Sequence, residues 1–149
     1  MALRFAATSS AGPPAADLLE ALHDEYDAAA GRPLRGGPSA EPSDFAPPSG
    51  TFLVAYEHDR AVACGGLKTV GPGVAELKRM YVVPAARGRG VGRALLIALE
   101  DQARSMGFAI VRLDCERHNW PGYQAAGYVE IDDYNHNPFA DHWAEKHLS

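Results

Sequence analysis

The chain has 149 residues, 46% of them hydrophobic, and a formal net charge of −5. That length buries a core as one domain, read here as spanning 1–149, without help from a metal or disulfide, and the acidic balance offers no basic face for nucleic acid. Two isolated cysteines, no apolar run of membrane-spanning length and no apolar leader segment lead us to expect a cytoplasmic protein with reduced thiols and no membrane partner.

Residues 2–8 alternate weakly and predict a first strand. Gly12-Pro13-Pro14 interrupts the chain. Leu18, Leu19, Leu22 and Tyr26 then fall on one helical stripe, which predicts a helix over 14–28 closed by Gly31-Arg32-Pro33. Residues 31–50 hold repeated Gly and Pro and read as a loop, either functional or simply tolerated. Thr51–Tyr56 and Ala61–Lys68 predict a hairpin, with Gly65-Gly66 marking a bulge or bend. Ala75–Val83 predicts a third strand. Strict alternation would put Leu77, Arg79, Tyr81 and Val83 on one face, and Glu76, Lys78, Met80 and Val82 on the other.

That strand stops at Pro84, and a short basic loop rich in glycine follows. An amphipathic helix then begins inside the loop, with Val91, Leu95, Ala98 or Leu99, Gln102 or Ala103, and Met106 along one side and Gly107 at its end. The first N–H groups of a helix lack intrahelical partners and lie at the positive end of its dipole. A strand feeding such a loop is an anion site, most often for phosphate. Gly88, Gly90 and Gly92 let a ligand approach the main chain, and Arg87, Arg89 and Arg93 add forked cationic donors. Neither G-x-x-x-x-G-K-[ST] nor G-x-G-x-x-G occurs. Residues 108–115 predict a strand, parallel to the one before the helix. A strand is expected at Val129–Ile131, a loop or turn over 132–138 and a last strand at 143–148, with residues 31–50 and 132–142 expected to line the pocket.

The spacing Arg87-x-x-Gly90-x-Gly92 resembles the R/Q-x-x-G-x-G/A signature of the GNAT superfamily of N-acetyltransferases. Met80-x-Val82-x-Pro84 ahead of it, Gly92-Arg93-Ala94-Leu95-Leu96 after it, and Tyr123 followed by Gly127-Tyr128 fit the same family pattern. The resemblance implies an α/β domain with a mixed, mostly antiparallel sheet of about six or seven strands and helices on both faces. It implies acetyl-CoA as the donor, with its pyrophosphate on Arg87, Gly88, Arg89, Gly90, Val91, Gly92 and Arg93. It further implies that the main chain of Tyr81, Val82 and Val83 pairs with the pantetheine arm, as an added strand would. The family's usual Asn and Leu ahead of the tyrosine are Glu116 and Gly122 here, with Pro121 inside the short helix, and Asn119 is the available substitute for coenzyme contacts.

The expected reaction is direct acetyl transfer to a primary amine of a small molecule or peptide. Neutralising a free ammonium, with a pKa of roughly 10.4, costs on the order of 4–5 kcal/mol near neutral pH. Glu76 on the strand before the loop is the candidate proton acceptor; the alternatives are an ion pair with Lys78 or Arg79, or plain exposure. Tyr123 matches the family tyrosine beside the leaving thiolate, where a hydrogen bond stabilises developing charge; the alternative is a packed core tyrosine. Cys115 reads as a buried strand thiol, and His136, His142, Asp133 and Asp141 as surface-loop residues, so no metal is expected. A homodimer is compatible with the sequence. The rival readings are a non-catalytic acyl-CoA-binding module and a nucleotide-binding protein.

Overall fold

Phe52, Leu53, Val54 and Ala55 form an unbroken apolar run, and a strand of that kind has to be covered on both faces. The computed structural model, which describes residues 2–31 and 40–148, covers it in that way. Strand β1 (Leu3–Ala7) leads to helix α1 (Ala15–Ala30), the hairpin β2 (Gly50–Glu57) and β3 (Arg60–Gly71), and β4 (Val74–Val82). Helix α2 (Val91–Ser105), β5 (Ile110–Cys115), the short helix α3 (Trp120–Ala125), β6 (Val129–Ile131) and β7 (His142–His147) follow. Among the described residues these strands form one seven-stranded sheet in the order β1-β2-β3-β4-β5-β7-β6. Only β4 and β5 run parallel, joined by α2; every other pair is antiparallel.

The two faces carry two cores. Phe52, Val54, Cys64 and Tyr81 pack with Ala15, Leu18, Leu19 and Leu22 of α1 and with Phe45. Leu53, Leu67, Leu77, Val111 and Leu113 pack with Val91, Leu95, Leu96, Leu99 and Ala103 of α2. Leu95 and Leu99 are fully buried, and a buried Leu contributes about 1.5–3 kcal/mol. Helix α2 therefore buries Leu99 and Ala103, with Ala98 half-buried against the same core and Gln102 exposed. It also buries Glu100, whose carboxylate takes the Tyr128 hydroxyl at 2.9 Å and Lys146 Nζ at 3.1 Å. Removing either partner would leave a buried charge short of compensation.

Helix α1 ends at Gly31, whose φ of 68° is left-handed and which turns its N–H back to Ala28 and Asp27. Arg32 and Pro33, expected to share in that ending, and the loop residues Gly36, Gly37 and Pro38 lie outside the described residues. Further on, Pro42–Phe45 forms a 3-10 turn.

The predicted alternation along β4 is corrected by the structure. Cys64 faces Tyr81 and Gly66 faces Lys78, so Arg79 and Met80 together oppose Gly65 alone. This is a β-bulge, and Arg79 takes φ 61° to make it. Leu77 consequently belongs to the α2 core while Tyr81 belongs to the α1 core. Of the bulge or bend expected at Gly65-Gly66, the structure shows a bulge at Gly65, and the reason is steric: a Cβ there would collide with Met80 Sδ and lie 2.9 Å from Leu99 Cδ1.

Candidate functional site

Beyond β4 the chain makes a 3-10 turn at Pro84–Ala86 and enters the glycine-rich loop. Gly88 and Gly90 adopt φ of 78° and 82°, a region that L side chains avoid. Gly90 is the residue from which α2 starts. The six N–H groups from Gly88 to Arg93 have no backbone acceptor among the described residues. They converge at the positive end of a 15-residue helix, which is the physical requirement for holding a phosphate.

Of the three loop arginines, two are engaged within the chain. Arg87 Nη2 lies 2.8 Å from both carboxylate oxygens of Glu25 on α1, and its Nε donates to the Val82 carbonyl at 2.9 Å. Glu25 also accepts the Tyr81 hydroxyl at 2.9 Å. The Arg87 hydrogen bond pulls the Glu25 carboxyl below its ordinary range, against a smaller opposing push from burial. Arg89 pairs with Glu57 at 3.1 Å. Arg93 is exposed and makes no ion pair among the described residues.

The sheet splits beside this loop. Pairing of β4 with β5 runs from Val74↔Ile110 to Glu76↔Arg112 and stops. From there β4 stays with β3, and β5 stays with β7 as far as Cys115↔His142. The Val83 N–H turns back to the Val62 carbonyl at 2.9 Å. Alternation then directs Val82's own N–H and C=O to the open side, where Arg87 holds the carbonyl. Of Tyr81, Val82 and Val83, the main chain of Val82 faces the gap, while Tyr81 pairs with Cys64 and the Val83 N–H is taken by Val62.

A cavity of about 660 Å³ fills the fork. Its walls include Tyr26 of α1, Arg79 and Met80 of β4, Asp114 of β5, and Asn119 and Tyr123 beside it. Pro121 does not break α3: it occupies the first turn, where its missing N–H would have had no helical partner. Tyr123 stacks edge-to-face on Tyr128 with centroids 5.8 Å apart, and its hydroxyl makes no hydrogen bond among the described residues. Burial foremost, then the neighbouring Cys115, Tyr26 and Asp114, push that hydroxyl far above the ordinary tyrosine range, so it remains a proton donor. Cys115 is free, buried and raised to about 11, chiefly by burial; Cys64 is raised to about 12 by burial.

Glu76 is placed behind the wall rather than on it. The residue is 3% exposed. Its Oε2 accepts the Tyr134 hydroxyl at 2.5 Å and Asn135 Nδ2 at 3.3 Å, and Lys78 Nζ lies 3.4 Å from Oε1. The ion pair with Lys78, one of the alternatives read from sequence, is therefore present. Asn135 also donates to Asp114 Oδ2 at 2.6 Å and accepts Trp143 Nε1 at 2.9 Å. The sequence does not single out Asp114, Tyr134 or Asn135; it places the segment 132–142 at the pocket, and Asn137, Phe139 and Ala140 of that segment line the cavity. His142 stacks on Trp120 and bonds Glu130 at 2.6 Å, and Asp141 takes the Arg117 N–H at 2.8 Å. No group of three or more His, Cys, Asp or Glu among the described residues is placed to hold a metal ion. No helix among them is long and apolar enough to cross a membrane.

The sequence profile of the Acetyltransferase (GNAT) family matches residues 16–128. An uncharacterised N-acetyltransferase of Schizosaccharomyces pombe is 33% identical over 99 residues, covering 63% of this chain and 61% of that protein. The IAA acetyltransferase of Azospirillum brasilense is 43% identical over 72 residues, 47% of this chain and 46% of the relative. The chain therefore aligns with about half to three fifths of the length of these curated relatives. The crystal structure of N-acetylglutamate synthase from Neisseria gonorrhoeae, complexed with coenzyme A and N-acetylglutamate, superposes with a TM-score of 0.76 at 19% identity. That superposition covers 100% of this chain and 36% of that one, and likeness at such identity establishes the fold.

Proposed function

The chain belongs to the GNAT acetyltransferase family, and from that premise we propose that it moves an acetyl group from acetyl-CoA directly to a primary amine of a small molecule or peptide. The coenzyme's diphosphate sits on the six amides of Gly88 to Arg93, with Arg87, Arg89 and Arg93 around it. The pantetheine arm runs into the fork along Val82, and Asn119 contacts it from the β5 side. The thioester then reaches the cavity beside Tyr123, whose free hydroxyl hydrogen-bonds the departing thiolate. Glu76, sealed by Tyr134 and Asn135, supports the site from behind.

The observation that supports this reading most is the succession of three features: an open anion loop, the unpaired edge of the strand that leads to it, and, further back along that strand, a cavity whose Tyr123 hydroxyl has no hydrogen bond among the described residues. A ternary complex needs all three in line, since transfer demands thioester and amine within about 3–3.5 Å. Free, buried Cys64 and Cys115 support a reducing, cytoplasmic setting. Strand β6 ends the sheet with Val129 exposed, the edge at which a second copy would add in a homodimer.

The test is a panel of amines, including aminosugars, polyamines, amino acids and peptide N-termini, assayed for thiol release from acetyl-CoA. Turnover of at least one amine class, with acetylated product by mass spectrometry, is expected. Tight coenzyme binding by calorimetry without any turnover would overturn the enzyme reading in favour of a binding module.

A further inference from the structure

We propose that Asp114 is the side chain that takes the ammonium proton of the acceptor, and that Glu76 and Asn135 are positioning residues that hold it at the mouth of the fork. This rests on the acetyltransferase reading above.

The two carboxylates share a face of the sheet but not an environment. Glu76 lies in the last paired rung, opposite Arg112. Asp114 lies two residues further along β5, past that rung, where β4 has already diverged. Glu76 is enclosed, with Tyr134, Asn135 and Lys78 on its oxygens. Asp114 lines the cavity, and Asn135 occupies only Oδ2; its Oδ1 has no partner among the described residues. One carboxylate oxygen is thus fixed and the other is left for a ligand.

Asn135 explains the fixing. Its Nδ2 donates to Asp114 at 2.6 Å and to Glu76 at 3.3 Å, while its Oδ1 accepts Trp143 Nε1 at 2.9 Å and the Asn137 N–H at 3.2 Å. All four hydrogen-bonding positions of the amide are used, so its orientation is determined. An amide nitrogen does not accept a proton, so Asn135 cannot relay one from the cavity to Glu76. Tyr134 does not open on the cavity either. Asp114 is also electrostatically close to the leaving-group side, since its charge helps raise the Tyr123 hydroxyl. Tyr26 on α1, Tyr123 on α3, Cys115 beside it on β5 and Tyr134 on the loop feel its charge, and Glu76 shares Asn135 with it; Lys78 and Arg79 of β4, Glu116 just past β5, and Glu20, His23 and Asp27 of α1 line the same cavity.

In the step itself, Asp114 Oδ1 removes one proton from the substituted ammonium, and the freed nitrogen lone pair attacks the thioester carbon. The C–N bond forms, the C–S bond breaks, and the sulfur carries away the electron pair. A second nitrogen proton is lost as the amide forms. Of the two protons, one ends on the coenzyme thiol by way of Tyr123, and one leaves Asp114 for solvent.

The test uses the full chain with an amine found by the panel, over about pH 6–9. Asp114→Asn is expected to lower kcat/KM by about 10²–10³-fold near pH 7. Its rate should then track the free amine, so that the deficit shrinks as pH rises, while the calorimetric affinity for coenzyme A stays within about threefold. Glu76→Gln is expected to keep the wild-type pH profile and lose less than tenfold. Asp114→Ala, assayed with added formate, should recover at least tenfold, and Glu76→Ala should not. If Asp114→Asn retains both rate and pH profile, or formate restores Glu76→Ala instead, the assignment is overturned while the acetyltransferase reading stands. If the wild type turns over no amine, both fall.

Discussion

The glycine-rich loop and the carboxylate cluster behind the fork differ in how the chain builds them. Gly88 to Arg93 is one continuous stretch whose conformation and ligand chemistry come from neighbours in sequence. The Asp114–Asn135–Glu76 cluster joins β5, a loop and β4, with 21 residues between Asp114 and Asn135 and 58 between Glu76 and Tyr134. The first is a local backbone device and tolerates side-chain change wherever φ is permitted. The second exists only after the sheet has formed and depends on side chains.

That contrast can be broken by substitution. After Asp114, the largest effect is expected at Tyr123, whose hydroxyl we place at the reacting end: Tyr123→Phe should lower kcat by about 100-fold, with coenzyme affinity unchanged within about threefold in calorimetry. Equal losses in kcat and affinity would instead give the phenol a binding role. Asn135→Ala should come next, since it strips a partner from two carboxylates and an indole. We expect about 1–3 kcal/mol lost in chemical denaturation, together with reduced turnover. A drop in turnover alone would show that the cluster is not structural.

At the loop, Gly90→Val places a branched side chain at φ 82°. The expected cost of about 1–2 kcal/mol in forming the site corresponds to roughly a tenfold weaker coenzyme affinity. A variant that binds normally would show that the loop geometry is adaptable. The smallest effect is expected from Glu25→Gln. Glu25 competes with the diphosphate for Arg87, so its neutralisation should tighten coenzyme binding a few-fold. The sign in pH follows from the same contact. The folded Glu25 carboxyl lies below its ordinary value of 4.5, so its contribution to stability is present above that pH and is lost as acid takes the pH through the lowered value. Glu25→Gln should remove that part of the acid-limb slope in thermal melts.

The sequence was most legible where structure is local. Gly88, Gly90, the stripe of α2 and the ending at Gly107 all follow from rules within one turn of the chain. The parallel relation of β4 and β5 was also legible, because a crossover helix separates two strands. Tyr123 stands out only through the resemblance of Tyr123-x-x-x-Gly127-Tyr128 to the family pattern, not through any local rule. Asp114 and Asn135 gave no signal: an Asp on a strand and an Asn in a polar loop are each ordinary, and only their 2.6 Å contact makes them a pair. The faces of β4 were misjudged beyond Leu77 because alternation assumes an uninterrupted ladder. The interruption at Arg79 is settled against a partner strand, where Gly65 yields its space to Met80.

The bulge at Arg79 has a wider reach than its own pair of residues. It makes β4 a ribbon given a half-turn, with its leading part furnishing one room of the protein and its trailing part another. Straightening the bulge with every residue kept would slip the later pairing with β3 by one position and roll everything after it. Val82 would offer its carbonyl to β3, and the corridor into the fork would lose its handrail. The open edge that we propose for the donor's long arm is therefore set by one backbone angle, eight residues upstream of Arg87.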